Sequence, residues 1–188
     1  GVKKAQSTDK SVHAPVRLGR CAACHDPHGS AGEHFLAADS TAACFECHEA
    51  FQARVMRPRS VVWHAPARKP GGCLSCHAGH GSANASLLRK APEALCADCH
   101  DAKATKLAGA HKGISLEKAR CLGCHDPHFS DRSGLLVQVR HLPVLNGDCA
   151  GCHSESAPGK LSLATKATGA QLCKSCHNDV LKKAEGPQ

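Results

Sequence analysis

Cysteine placement constrains this chain more than any other feature. All 14 cysteines fall into seven Cys-x-x-Cys pairs, and a histidine directly follows each: Cys21/Cys24/His25, Cys44/Cys47/His48, Cys73/Cys76/His77, Cys96/Cys99/His100, Cys121/Cys124/His125, Cys149/Cys152/His153 and Cys173/Cys176/His177. No cysteine is left over. With 15 histidines in 188 residues, chance placement after all seven pairs has a probability on the order of 10⁻⁸ for a C-x-x-C-H signature.

Three other uses of paired cysteines account for less. Between Cys24 and Cys44, and between Cys76 and Cys96, lie 19 residues, a zinc-ribbon spacing, but zinc gives no reason for seven adjacent histidines. A disulfide scaffold also uses an even number of cysteines and has no need of the histidine. Iron–sulfur ligation groups four cysteines per cluster, and no Cys-x-x-Cys-x-x-Cys run occurs. Covalent haem explains all three residues. Two thiols three positions apart on one helical turn can each form a thioether with the vinyl edge of one macrocycle, and the next imidazole then meets the iron beneath the ring. The expectation is seven covalently bound haem c groups, with His25, His48, His77, His100, His125, His153 and His177 as proximal iron ligands.

Composition points the same way. Aromatic residues make up 3%, Tyr is absent, and 17 Gly accompany 10 Pro, poor material for an ordinary core. About 27 residues serve each motif, far fewer than a self-sufficient domain uses. Such a chain offsets its conformational entropy by burying macrocycle faces and making iron–histidine bonds. The expected fold is mostly irregular coil with short α-helices and no sheet core, organised around a chain of haems. The formal charge of +8 does not imply nucleic acid. Each ferric haem with ionised propionates adds about −1 and each ferrous one about −2, bringing the loaded chain to about +1 or −6. Lys and Arg then balance propionates, and no basic stripe with interleaved aromatics appears. No apolar run approaches the roughly 18 residues of a membrane span. The opening "GVKKAQSTDK" lacks the apolar stretch of a signal peptide, and the chain reads as a processed form.

The chain aligns with itself as four unequal repeats within one domain: 1–56, 57–103, 104–139 and 140–188. "HAPVRLGRCAACHDPHGS" from His13 recurs as "HAPARKPGGCLSCHAGHGS" from His64, "HKGISLEKARCLGCHDPHFS" from His111 and "HLPVLNGDCAGCHSES" from His141. In the first two repeats a second motif starts 23 positions later, in the segments "STAACFECHEAFQARVM" and "APEALCADCHDAKATKL"; "TGAQLCKSCHNDVLKKA" closes the fourth. These three segments carry no breaker and are predicted helical, whereas each first motif sits in a Gly/Pro-rich turn. The third repeat has "GLLVQVR" in place of a second motif, and the fourth has Ser156 in place of a histidine.

Eight histidines lie outside the motifs. His13, His64, His111 and His141 lead a first motif, and His28, His80 and His128 trail one. Those seven match seven irons and are the candidate distal ligands. His34 aligns with Ser86 and Gly134, so it is read as a surface or propionate-contacting residue. Met56, in "QARVMRPR", is read as packing at a helix end rather than on iron. Because the third repeat has a spare histidine and the fourth lacks one, His128 or His111 is expected to ligate a haem of the fourth.

The pattern CxxCHxPHGS, a leucine pair, then CxxCH resembles the multihaem c-type cytochromes with doubled CxxCH motifs, over residues 13 to 181. The resemblance implies electron transfer without substrate chemistry, redox protein partners or extracellular acceptors, and residence in the periplasm or outside the cell. Two imidazoles per iron leave no open position and keep potentials low, since a Met ligand is what raises them. Assembly is expected either as a carrier or as a filament subunit joined through haem-exposing ends. The alternative is a nitrite- or hydroxylamine-type multihaem oxidoreductase with one open iron; no CxxCK variant supports it.

Overall fold

The computed structural model describes residues 9–38, 40–55, 62–116, 119–138, 141–158 and 160–184. Among them, helices of six residues or more are α1 (Ser40–Phe45), α2 (Glu49–Val55), α3 (Pro92–Ala97), α4 (Thr105–Ala110) and α5 (Ala170–Ala184). The first two segments predicted as helices do not run through their motifs. After α1 the amides of Cys47 and His48 both turn back to the carbonyl of Cys44, at 3.3 and 3.0 Å, and α2 starts afresh at Glu49. That tightened turn is the physical reason for the break, because it closes the motif on itself. In the second repeat α3 begins at Pro92, whose fixed φ suits a first turn. The helix ends at Ala97, and further on Asp101 accepts the amide of Lys103 at 2.9 Å, an Asx turn. The last segment is helical from Ala170 to Ala184, with non-helical dihedrals at His177.

Strands are short and join consecutive repeats. β1 (Ser11–Val12) pairs antiparallel with β3 (Gly81–Ser82), and β2 (Val62–Trp63) with β4 (Phe129–Ser130). Each pair sets the two residues before a lead histidine against the two after a trailing histidine of the next repeat. The adjoining amides confirm the register: His13 N–H donates to His80 O at 2.8 Å and His64 N–H to His128 O at 2.9 Å.

After each first motif the chain folds back on the motif histidine. Single bridges join His25 to Leu36, His77 to Leu88 and His125 to Leu136. The return needs a left-handed turn, found at His34–Phe35, Ser86–Leu87 and Gly134–Leu135 with φ between 55° and 71°. The fourth repeat reaches the same end with a hairpin, β5 (His153–Ala157) and β6 (Lys160–Thr165), in which His153 pairs with Thr165.

Apolar packing is thin. Among the described residues only Phe129 and Leu161 are buried apolar side chains, while Leu18, Phe35 and Leu142 are 61%, 62% and 63% exposed. The polypeptide is mostly coil with short helices and two-stranded sheets, without a sheet core. Around Phe129 a small aromatic cluster forms: Phe51 at 5.5 Å, Trp63 at 5.7 Å and the Arg54 guanidinium 5.0 Å above the ring. The chain divides into two compact units. One comprises Gly1–Cys99 with Arg120–Gln138 and contains β1 to β4, α1 to α3 and the aromatic cluster. The other comprises His100–Ala119 with Val139–Gln188 and contains α4, the β5–β6 hairpin and α5; within it Lys112 Nζ donates to Gly147 O at 2.6 Å. Among the described residues no helix is long and apolar enough to cross a membrane.

Candidate functional site

Each motif is a closed turn. In five of them the motif histidine's amide donates to the carbonyl of the first cysteine: His25 to Cys21, His48 to Cys44, His77 to Cys73, His125 to Cys121 and His153 to Cys149, at 2.9–3.0 Å. This i to i+4 bond stacks the two thiols on one side of the turn and sends the imidazole away from the chain. Among the described residues no cysteine forms a disulfide. No three His, Cys, Asp or Glu side chains among them converge as a metal-holding group either, whereas a structural zinc takes four donors.

The expected attachment residues differ in exposure. Cys24, Cys44, Cys73, Cys76, Cys96, Cys121, Cys149 and Cys152 are half-buried, whereas Cys21, Cys47, Cys99, Cys124, Cys173 and Cys176 are exposed. Cys124 and Cys176, both expected as thioether positions, therefore do not line an enclosed pocket of the polypeptide. The reason is local in each case. At Cys124 the backbone is engaged on both sides, its amide with Cys121 O at 3.2 Å and its carbonyl with the Val137 amide at 2.9 Å, and the side chain is left facing out. Cys176 lies on α5 directly before the non-helical His177, and its Sγ lies 3.9 Å from the neighbouring Ser175 hydroxyl. A thiol at a rim of this kind is open to the vinyl edge of a macrocycle.

The imidazoles come in pairs. His13 lies parallel to His48, with centroids 6.2 Å apart and planes 11° from each other. His77 and His128 stand 6.0 Å apart at 12°, His25 and His80 5.9 Å apart at 32°, and His141 and His177 5.5 Å apart at 38°. In the last pair the two Nε2 atoms face each other at 3.3 Å. Each pair joins one motif histidine to one histidine outside the motifs. Two metal–imidazole bonds of about 2 Å, with the half-widths of two rings, put centroids about 6 Å apart. The spacing fits an iron between His13 and His48, between His25 and His80, and between His77 and His128; His141 and His177 stand closer, their Nε2 atoms 3.3 Å apart where two such bonds need about 4 Å.

The remaining candidates are placed as follows. His64 follows β2, and His111 lies at the end of α4 with its Nδ1–H donating to Leu107 O at 2.8 Å. His100 belongs to the same compact unit as His111. His153 opens β5, and its Nδ1 is buried without a hydrogen-bond partner among the described residues. His28 is exposed beside Asp26. His128, one of two histidines expected for the fourth repeat, instead faces the second. Met56 lies outside the described residues.

Three supporting groups do not appear in a side-chain reading of the sequence. The first is a carbonyl on three of the four first-motif imidazoles: Nδ1–H of His25 donates to His34 O at 2.8 Å, that of His77 to Ser86 O at 2.9 Å and that of His125 to Gly134 O at 2.6 Å. Such a bond fixes the tautomer and leaves Nε2 for the metal. His34 thus contributes its backbone, at the position that Ser86 and Gly134 share. His13 is held similarly, Nδ1–H to Gly79 O at 3.0 Å. The second group is Asp26 and Asp126, whose Oδ1 accepts the amides of His28 and His128 at 2.9 Å each. The recurrence of "CHDPH" was the available signal for it. The third is the aromatic cluster, in which Phe51 meets His128 edge-on at 5.1 Å. Burial there holds His128 below the usual imidazole pKa, against the opposing pull of Asp126, which favours the neutral ring.

Thiols of successive motifs also approach one another. A hydrogen bond from Cys44 is the main reason that Cys73 falls to about 6. Burial, then the proximity of Cys121, pushes Cys96 up to about 11. The attachment edges of the second and third motifs therefore lie side by side, as do those of the fourth and fifth.

Residues 13–53, 64–105 and 141–182 each match the doubled CXXCH motif family, together about two thirds of the chain. The chain belongs to this family. The family's match omits the third repeat, the one with a single motif. No curated protein matches the chain. Family membership with the paired imidazoles makes it a multihaem c-type cytochrome with covalently bound haem c, acting in electron transfer with redox partners.

Proposed function

We propose that the chain is a heptahaem electron conduit in which every iron has two imidazole ligands and no substrate is transformed. When bound, each haem supplies a one-electron iron couple. Three imidazole pairs at 5.9–6.2 Å carry this reading, and His141 and His177 face each other at 5.5 Å. They support His48, His25, His77 and His177 as proximal ligands with His13, His80, His128 and His141 as their distal partners. By analogy with His13 and His141, His64 is proposed for the second motif of its repeat. The protein's part is orientation: carbonyls on Nδ1 select the tautomer, closed turns aim the imidazoles, and adjacent thiols keep successive attachment edges together. Two imidazoles without a Met ligand favour low potentials. Thioether attachment on the outer side of the cytoplasmic membrane, implied by the family resemblance, supports a periplasmic or extracellular location.

Intact mass and electron paramagnetic resonance test the reading. The expected result is seven haem additions, no titratable thiol, and only low-spin irons. His13→Ala, His80→Ala and His128→Ala should each turn one iron high-spin while all seven haems stay attached. A mature chain with fewer haems, or these variants without any spin change, would defeat the reading.

A further inference from the structure

The paired rings obey one rule. A lead histidine faces the second motif of its own repeat, as His13 faces His48 and His141 faces His177. A trailing histidine faces the first motif of the repeat before it, as His80 faces His25 and His128 faces His77. The backbone follows the same step, since β1 pairs with β3 and β2 with β4, one repeat onward each time. The rule does not apply to His111 and His125, since the third repeat has no second motif and Ser156 stands in place of the trailing histidine of the fourth. Among the described residues it leaves His28 and the motif at His153 without a counterpart.

His28 nevertheless keeps the whole ligating device. Asp26 holds its amide at 2.9 Å just as Asp126 holds that of His128, and the carboxylate lies 3.4 Å from Nδ1, against 3.6 Å in the third repeat. A carboxylate at Nδ1 orients the ring and leaves Nε2 for a metal. The His28 side chain is 93% exposed where that of His128 is 40% exposed. Ser30, two residues on, is exposed where its equivalents Ser82 and Ser130 are buried in strand pairs. His153 shows the other half of the interaction. Its motif turn closes like the others, yet among the described residues no imidazole faces it.

We propose that His28 of one copy ligates the iron of the haem held by Cys149, Cys152 and His153 in a second copy. The proposal rests on the bis-histidine reading above. The occupant is a second copy of this chain because the exposed device is the one the repeats use on each other within it. The two surfaces differ, so the contact is heterologous and continues from copy to copy as a ring or an open filament. Nearest-neighbour stacking of repeats then runs on across the junction.

Holoprotein carrying His28→Ala is compared with unaltered holoprotein by intact mass, electron paramagnetic resonance, sedimentation and negative-stain imaging. Unaltered protein at high concentration should assemble with seven low-spin irons, and dilution to monomers should turn one iron in seven high-spin. His28→Ala should keep seven haems, remain monomeric at every concentration and show that one high-spin iron throughout. Added imidazole should return it to low spin without restoring assembly. The bridge is overturned if the variant assembles, or if dilute unaltered monomers are wholly low-spin, since a histidine of the same chain then fills the position. Fewer than seven haems would defeat the heptahaem reading and the bridge with it, a result that mass alone distinguishes.

Discussion

His34→Gly separates a backbone role from a ligand role in one substitution. His34 sits at φ 59°, ψ 27° and offers its carbonyl to His25 at 2.8 Å; the aligned Gly134 does the same for His125 at φ 71°. A left-handed conformation costs a residue with a Cβ roughly 1–2 kcal/mol. Glycine avoids that cost but loses about 0.5–1 kcal/mol through its freer unfolded chain. The net is a stabilisation of about 0.5–1 kcal/mol, which in a chain of this length raises the thermal midpoint by about 2 °C. Scanning calorimetry reads that shift, and electron paramagnetic resonance reads the irons in the same sample. All irons should remain low-spin, because the carbonyl survives the substitution. The converse change, Gly134→Val, should lower the midpoint by a few degrees, since a β-branched residue at φ 71° is strained. Conversion of one iron to high spin by His34→Gly would refute the argument and make the His34 imidazole a ligand.

Two further perturbations test the support of His128. Phe129→Ala removes the buried centre of the aromatic cluster, and at about 3–5 kcal/mol for such a truncation should lower the calorimetric midpoint by about 10 °C. Asp126→Ala should leave the iron at His77 low-spin yet speed replacement of its distal ligand by added cyanide severalfold in stopped-flow, while Asp126→Asn, which keeps an acceptor for the His128 amide, should restore most of the slow rate.

Side-chain chemistry was legible in the sequence, and backbone chemistry was not. Seven CxxCH motifs, the repeat and the scarcity of apolar residues led directly to a coil-rich fold with short helices. The three left-handed turns escaped notice because their useful atom is a carbonyl, which His34, Ser86 and Gly134 supply equally well. Ring partners escaped for a different reason. His25 meets His80 through a register fixed by strands only two residues long, too short to leave an alternating hydrophobic pattern. The exposure of Cys124 and Cys176 was equally hidden, since a motif's spacing says which thiols share a turn and not which way the turn faces. Two of the three helices predicted over second motifs stop at the motif, the first where closing the Cys44–His48 turn outweighs the helical preference of the alanines around it, while the last runs on from Ala170 to Ala184.

The offset between repeats ties folding to conduction. If every trailing histidine served its own repeat, each repeat could hold its haems independently, and nothing would fix the distance from one repeat's haems to the next. With His80 set against His25 and His128 against His77, a first-motif pocket is complete only when two repeats have docked. The strand pairs that dock them bring their own hydrogen bonds, but two-residue strands contribute little alone. On the proposed bis-histidine reading, most of the docking free energy comes from the metal–imidazole bond and from burial of the macrocycle. The interaction that completes an iron site is then the same one that positions the next repeat. The thiol contacts fall at those junctions: Cys44 of the first repeat meets Cys73 of the second, and Cys96 of the second meets Cys121 of the third. A chain that failed to bring two haem edges together would also have failed to ligate an iron, so correct ligation selects for an unbroken path.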